Sequence, residues 1–288
     1  MVDVLFSGLM RGGMYILIAI GLQLVYGVMR IPNFAHGEYY VIGAYAAYFS
    51  FTRFQNPVLA ILLSVFVGFL VGGLVEIIVF RNLRKRNVGD WVMNTFMIGA
   101  GIQLIIQNVT QLLFGANYFG VTVLWKGSIK LGSFSISMDR AVAFVIAVLA
   151  VVLLWVFLKK SRTGNAILAV SEHGTGARLM GVNTRGIYTL TYALSCMLAA
   201  LAGGALIAIS PAYPTAGIQP QLAAWFVVVL VGLGNIEGVI VGGFIVGMIE
   251  VFATYYVGSA WQNAISLSII ILVLIFKPSG LFGKKVKV

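Results

Sequence analysis

The 288-residue chain is 60% hydrophobic and 9% charged, and its mean hydropathy is +1.01. Because soluble domains carry about 25% charged residues, this composition excludes a soluble globule and indicates a membrane protein. Apolar runs such as 141–158 lack the alternating polarity of transmembrane barrel strands. The sequence therefore predicts an all-α, polytopic helical membrane protein, a single transmembrane domain over 1–288 with about eight to nine membrane-inserted segments.

The predicted segments follow one another with only short polar breaks. In chain order they cover residues 4–29, 31–51, 57–80, 91–114, 139–158, 187–209, 222–233, 239–256 and 261–276. No small-residue cleavage pattern follows the first, so we expect it to remain as a membrane anchor. The segment 222–233 is too short to cross, and glycines separate it from the next. Such interrupted pieces lie at membrane depth only where they are buried in protein or line a cavity.

The formal net charge of +11 is concentrated in three places. The clusters are Arg81, Arg84, Lys85 and Arg86; Lys159, Lys160, Arg162, Arg178 and Arg185; and Lys277, Lys284, Lys285 and Lys287. Basic loops next to spans mark the cytoplasmic side, so we expect a lipid bilayer and no nucleic acid as the partner of these charges. Counting spans back from the first cluster places the start of the chain outside.

Two uncharged or weakly charged stretches are predicted to be external. Residues 115–138 are rich in glycine, serine and aromatic residues and are expected to form a loop with a short strand pair. Residues 211–221 contain three prolines and no charge, as in an external turn. Residues 81–90 are expected to form a short basic loop on the opposite side.

Many of the 34 glycines recur at a spacing of four residues. The pairs are Gly8 and Gly12, Gly68 and Gly72, Gly234 and Gly238, Gly238 and Gly242, and Gly243 and Gly247. Small residues four apart let helices approach closely in lipid. We therefore expect a compact helical bundle, with a minority of these glycines along a permeation path.

The residues needed for catalysis are scarce, with two histidines, one cysteine and eight acidic residues. His36 and His173 fall on different segments, Cys196 lies in an apolar run, and we expect no metal site and no cofactor. The string Gly280–Lys284 lacks the spacing and the following Ser or Thr of a phosphate-binding loop. We therefore expect a chain that is not an enzyme and does not hydrolyse ATP itself.

A polar cluster between the first two apolar stretches is the strongest local candidate for a substrate pathway. It contains Asn33, His36 and Glu38, with Pro32 and Gly37 able to break a helix beside them. Ionisable groups at membrane depth usually face a pathway or a partner. The alternative is an interfacial turn in which His36 and Glu38 lie in water.

Two further acids, Glu76 and Glu250, lie within apolar runs. They could relay protons, but interfacial placement or a structural hydrogen bond is the favoured interpretation, because each lies near the end of its span.

The second basic loop, residues 159–186, carries apolar residues among its polar ones. Read as two short helices, it presents an apolar face outside the membrane, which requires a docking partner. The alternative is that this face packs against the underside of the bundle.

Three blocks of sequence together resemble the LivH-type permeases of branched-chain amino acid importers, and the similarity spans nearly the whole chain. The blocks are Asn33–Glu38, Ser161–Gly164 through Gly181–Thr184, and Lys277–Gly283. The resemblance implies a membrane subunit that works by alternating access in a binding-protein-dependent importer. Its implied partners are ATP-binding cassette subunits that hold the ATP, a second homologous permease or a second copy, and an extracytoplasmic solute-binding protein.

The same resemblance implies that residues 164–185 form the region that docks on the ATPase, with Glu172, Arg178, Leu179 and Gly181 as contact candidates. This chain has Ser171–Gly174 where the broader importer signature favours a Glu-Ala-Ala run, so the identity of the contact residue stays open. The solute also stays open among branched-chain amino acids, urea, short amides and aromatic acids.

Two other functions are compatible with the residues alone. A secondary transporter driven by an ion gradient would use Glu76, Glu250 or His36 as its titrating group. An intramembrane enzyme would need a catalytic pair inside the bundle, and the sequence nominates none.

Overall fold

A computed structural model describes residues 2–86, 91–131 and 134–283. Its helices are α1 (Val2–Met29), α2 (His36–Phe54), α3 (Pro57–Val75), α4 (Arg81–Arg86), α5 (Trp91–Phe114), α6 (Met138–Lys160), α7 (Arg162–Leu179), α8 (Thr184–Leu206), α9 (Ile218–Val231), α10 (Gly238–Tyr256) and α11 (Gln262–Phe276). A π-helical segment, Glu76–Phe80, joins α3 to α4, and a short 3₁₀ turn, Ser259–Trp261, precedes α11.

Seven helices of the described ranges are long and apolar enough to cross a bilayer, and α9 is a shorter apolar helix. With α2, which is packed against α3 and α8, they make nine inserted segments in the described part of the chain. The prediction of a polytopic helical membrane protein is confirmed.

The bundle is organised around α1 and α8. In their most apolar stretches, 78% of the residues of α1 and 72% of those of α8 are buried, against 17% for α5 and 11% for the last span. Because the outer helices expose many large apolar side chains, they form the lipid-facing surface. The core therefore consists of α1, α2 and α8, with α3, α9 and α10 packed against it.

Glycines allow the closest helix contacts, as the four-residue spacing predicted. A Cβ atom on Gly247 of α10 would lie 2.6 Å from the Cα of Gly12 on α1, so only glycine permits this approach. Gly68 and Gly72 likewise pack on α8. The pair of Gly234 and Gly238 is different: Gly234 has φ +90° and lies in the turn before α10, so the two glycines do not lie on one helix.

All described basic clusters gather at one end of the bundle. The Arg84 guanidinium lies 4.8 Å from the ring centre of Tyr188 at the start of α8, which brings the first cluster to the second. Lys159 Nζ lies 3.2 Å from Glu237 Oε1, just before α10. By the distribution of positive charge this end is cytoplasmic, and the expectation that the basic loops share one side is confirmed.

The segment that follows α11 lies on the same side. The backbone N–H of Leu281 donates to the carbonyl of Leu230, at the inner end of α9, over 2.8 Å. Lys284, Lys285 and Lys287 lie outside the described residues. Helix α1 runs antiparallel to α10, with Gly8 against Met248. Helix α1 therefore begins on the outer side, in agreement with the count of spans from the sequence.

Two predicted boundaries were wrong. Residues 31–35 were expected to be helical, but the second helix starts only at His36, because proline and the residue before it disfavour the helical conformation. Residues 81–86 were expected to be loop but form α4, a continuation of the third span; residues 87–90 lie outside the described ranges. The other predicted spans agree with the helices to within a few residues.

The external segment between α5 and α6 contains the predicted strand pair. Strands β1 (Ser128–Leu131) and β2 (Phe134–Ser137) pair antiparallel, with Ser128 opposite Ser137. The Asp139 carboxylate at the start of α6 accepts hydrogen bonds from the backbone N–H groups of Leu124 and Trp125, at 3.1 and 2.8 Å. These bonds fix the loop over the outer end of the bundle.

Candidate functional site

The polar cluster Asn33, His36 and Glu38 lies where the chain turns back into the bundle between α1 and α2. Arg30 ends α1 with a φ of +53°, and the following residues are extended. The Asn33 Oδ1 accepts the backbone N–H of Ala35 at 3.1 Å, a local turn that aligns the chain for α2. The helix begins at the next residue.

This start of α2 lies deep in the membrane region. His36 Nε2 donates to the carbonyl of Ile18 over 2.9 Å, and Ile18 precedes the inner end of α1 by about 16 Å at 1.5 Å per residue. The His36 ring is also close to Gly21, which packs against the carbonyl of Ser195 in the middle of α8. The break in the helix is therefore near mid-depth.

The start of α9 meets the start of α2 at this depth. The Gly37 N–H donates to Gln221 Oε1 over 2.8 Å. A Cβ on Gly217 would lie 2.5 Å from the carbonyl carbon of Gly37, so both positions must be glycine. We call Asn33, His36, Gly37, Glu38, Gly217 and Gln221 the half-helix site. Each helix start contributes a partial positive charge to it.

All three predicted residues are buried in the half-helix site: Asn33 is 1% exposed, and His36 and Glu38 are 0% exposed. The alternative of an interfacial turn in water is therefore wrong. In the described part of the chain, Asn33 Nδ2, His36 Nδ1 and Glu38 Oε2 have no hydrogen-bond partner. Buried polar groups are normally satisfied, so these three atoms retain hydrogen-bonding capacity for another molecule or another conformation.

Several neighbours of the half-helix site were not predicted. Gln107 Nε2 of α5 donates to Glu38 Oε1 over 2.7 Å. The ring of Phe34 stacks on Trp225, with 5.3 Å between centroids, and meets the edge of Phe96 at 4.7 Å. The Gln107 bond therefore ties α5 to the start of α2.

Gln107 lies within the predicted span 91–114, but Gln221 lies in the stretch 211–221 that was predicted to be an external turn. That prediction is wrong for Gly217 and Gln221, which lie beside Gly37 near mid-depth.

The two isolated acids are held in hydrogen-bonded clusters, consistent with a structural role. Glu76 is fully buried and accepts from Arg84 and from the Thr189 hydroxyl. Glu250 accepts from the Tyr15 hydroxyl and from Gln262, the latter over 2.8 Å.

The cytoplasmic segment α7 consists of two helices merged across a kink, as the sequence predicted. The Ser161 hydroxyl caps the first helix by accepting the N–H of Gly164 at 2.8 Å. His173 has non-helical angles, φ −149° and ψ 87°, and its Nδ1 accepts the N–H of Gly176 at 2.8 Å. His173 therefore both breaks the first helix and caps the second.

One face of α7 packs against the bundle and its tip is free. Ile167 and Val170 are buried, whereas Leu179 and Met180 are 83% and 86% exposed. The remaining contact candidates, Glu172, Arg178 and Gly181, are also exposed. Both sequence interpretations therefore apply, each to a different part of the segment. Met180, the most exposed apolar residue of the tip, was not among the candidates.

The sequence matches known permeases over nearly its whole length. Residues 4–274 match the family model described as branched-chain amino acid transport system / permease component. The chain is 30% identical to the high-affinity branched-chain amino acid transport system permease protein LivH of Escherichia coli, over 97% of this chain and 94% of that protein. It is also 30% identical to the corresponding protein BraD of Pseudomonas aeruginosa, over 97% and 95%.

More distant similarity extends to other permeases. The ribose import permease protein RbsC of Haemophilus influenzae is 26% identical over 99% of this chain and 87% of its own. The solved structure of PsaBC from Streptococcus pneumoniae in complex with Fab has the same fold, with a TM-score of 0.51 and 12% identity over 96% of this chain and 92% of that chain. The chain belongs to the branched-chain amino acid transport system permease family, as a multi-pass permease subunit of an ATP-driven importer in the prokaryotic cytoplasmic membrane.

Proposed function

We propose that the chain carries branched-chain amino acids, or chemically related small solutes, into the cell and is driven by a separate ATP-binding subunit docked on the tip of α7. The observation that carries this proposal is the exposed apolar pair Leu179 and Met180 on the cytoplasmic side. An exposed apolar tip is unfavourable in water and is stabilised when a partner covers it. The solute class is supported by the relatives LivH and BraD, which are branched-chain amino acid transport system permease proteins.

The packing of α7 supports transmission of movement from that tip. Gly164 lies against the backbone of Phe157 and Leu158 at the end of α6, and Asn183 Oδ1 caps α8 by accepting the N–H of Gly186 at 3.2 Å. A force on the tip is therefore passed to two spans through rigid contacts. Coupling requires only that the ATPase favour one conformation over the other.

We further propose that the solute passes the half-helix site. Two helix starts directed at one point favour a carboxylate, and the free polar atoms of Asn33, His36 and Glu38 add specific contacts. Delivery requires an external solute-binding protein, and a second permease, either homologous or identical, completes the transporter. No bond in the solute is changed, and the ATP is bound by the partner subunit.

Co-purification tests the docking proposal. The tagged chain, extracted from its native membrane in mild detergent, should bring an ATP-binding subunit with it. Leu179→Asp should reduce its recovery about tenfold, because a carboxylate would be buried in an apolar contact without a partner. Val123→Asp is the matched control, since Val123 is an exposed apolar residue of the external loop and should leave the recovery unchanged.

Uptake measurements separate this function from transport driven by an ion gradient. Solute uptake should stop when ATP is depleted while the ion gradient is maintained. Recovery of the chain alone, with uptake that persists without ATP, would contradict the proposal and return attention to Glu76, Glu250 and His36.

Thiol labelling tests the proposed path. In a Cys196→Ala background, which removes the single cysteine, Asn33→Cys in the complex with its ATPase should react with a water-soluble maleimide at least about tenfold faster during ATP turnover than at rest, because turnover opens the site to water. Ser64→Cys, buried between α2, α3 and α8, is the control and should stay unlabelled. Equal rates for Asn33→Cys with and without turnover would place the path elsewhere.

A further inference from the structure

A groove of about 730 Å³ opens between α3 and α8 at the inner side of the membrane. Its upper wall is apolar, formed by Phe69, Leu70, Leu74 and Ile77. Its inner end is basic, formed by Arg81 and Arg185. The groove thus combines an apolar channel at membrane depth with a cationic end at the cytoplasmic surface.

Small residues create the space between the two helices. A Cβ added to Gly73 would meet only the Cβ of Ala193, at 3.8 Å. This differs from Gly68 and Gly72, where an added Cβ would clash with α8. The glycine at 73 is therefore not required for helix contact, and its effect is to leave a gap that faces the lipid.

The charges at the inner end are not neutralised within the described chain. The nearby carboxylate of Glu76 already accepts from Arg84 and Thr189. Arg81 and Arg185 have no carboxylate partner among the described residues, and the buried Nε of Arg81 has no hydrogen-bond partner there. Two guanidinium groups thus remain available to an anion.

We propose that this groove binds one anionic phospholipid of the inner leaflet. Its phosphate lies between Arg81 and Arg185, and one acyl chain lies along Leu74, Leu70 and Phe69. Guanidinium groups bind phosphate oxygens in a bidentate manner. From Arg81 to Phe69 the third span rises about 18 Å, close to the roughly 15 Å thickness of one hydrocarbon leaflet. Anionic lipids attract basic residues at the cytoplasmic surface, and basic pockets between helices there bind their headgroups.

Lipid titration of the purified chain in detergent tests this proposal. Both lipids are titrated and the melting temperature is followed. The half-saturating concentration of phosphatidylglycerol should be at least about tenfold lower than that of phosphatidylcholine, because phosphatidylglycerol carries a net negative charge and phosphatidylcholine carries none. The double variant Arg81→Gln, Arg185→Gln should remove this preference. Lys160→Gln is the matched control, because Lys160 is an exposed basic residue of the same surface outside the groove, and it should retain the preference.

Two further arms distinguish the site from charge alone. Gly73→Leu should fill the groove and weaken phosphatidylglycerol binding while both arginines remain; Gly101→Leu, at a position with no atom within 4 Å, should leave it unchanged. Equal stabilisation by phosphatidylcholine, an unchanged preference in the arginine variant, or the same stabilisation by inorganic phosphate would each overturn the proposal.

Discussion

Replacing Gly203 by Ala should sharply reduce the amount of folded chain. A Cβ at this position on α8 would lie 2.9 Å from the backbone nitrogen of Ala44 and 2.9 Å from the carbonyl carbon of Tyr40, both on α2. Real Cβ atoms do not approach backbone so closely, so the two helices must separate at the centre of the bundle. We expect a loss of about 3 kcal/mol, the upper part of the usual range for overpacking.

The matched control is Gly101→Ala on the lipid-facing helix α5. An added Cβ there meets no atom within 4 Å, and Ala is favoured over Gly within a helix by about 0.5–1 kcal/mol. Its thermal unfolding in detergent, followed by tryptophan fluorescence, should therefore be unchanged or slightly raised. Similar melting temperatures for the two variants would contradict the close packing of α2 on α8.

Replacing Glu76 by Ala should have the second largest effect. It removes the acceptor of both Arg84 and Thr189 and leaves the guanidinium, whose side chain is 18% exposed, without a carboxylate partner. Loss of one member of a buried ion pair costs roughly 3–5 kcal/mol. Since Arg84 keeps some contact with water, we expect about 2–3 kcal/mol, measured as a lowered melting temperature in detergent.

A surface pair provides the control for this prediction. Lys159 and Glu237 lie 3.2 Å apart, but their side chains are 50% and 68% exposed. Glu237→Ala should therefore change stability by less than about 1 kcal/mol. The double variant Glu76→Ala, Arg84→Ala should be less destabilised than Glu76→Ala alone; if it is equally or more destabilised, the unpaired charge is not the cause.

The sequence predicted the helical class, the common side of the basic loops and the short segment that forms α9. These features were predictable because they depend on local composition. Apolar runs set the number of spans, and positive charge sets their direction. The depth of the break before α2 was not predictable in this way. Pro32 predicts that the helix breaks there, but the depth of the break depends on a hydrogen bond from His36 to Ile18, which the sequence does not specify.

Only those residues of the candidate site that are neighbours in the sequence were predicted. Asn33, His36 and Glu38 are close together in sequence, so their proximity followed directly. Gln221, which accepts from the Gly37 N–H, is 184 residues away from it, and an amide in an uncharged, proline-containing stretch does not specify its partner. The tip of α7 was easier to predict, because apolar residues in a basic loop stand out from their surroundings.

The burial of α1 also has a consequence for biosynthesis. This helix leaves the ribosome long before α10, yet its Tyr15 pairs with Glu250, 235 residues further along the chain. Until α10 has been made, Arg11 and the glycines that later pack on α10 have no native partner and must be retained at the insertion machinery or exposed to lipid. One face of the helix at the centre of the finished protein therefore stays without its native partner until most of the described chain has been made.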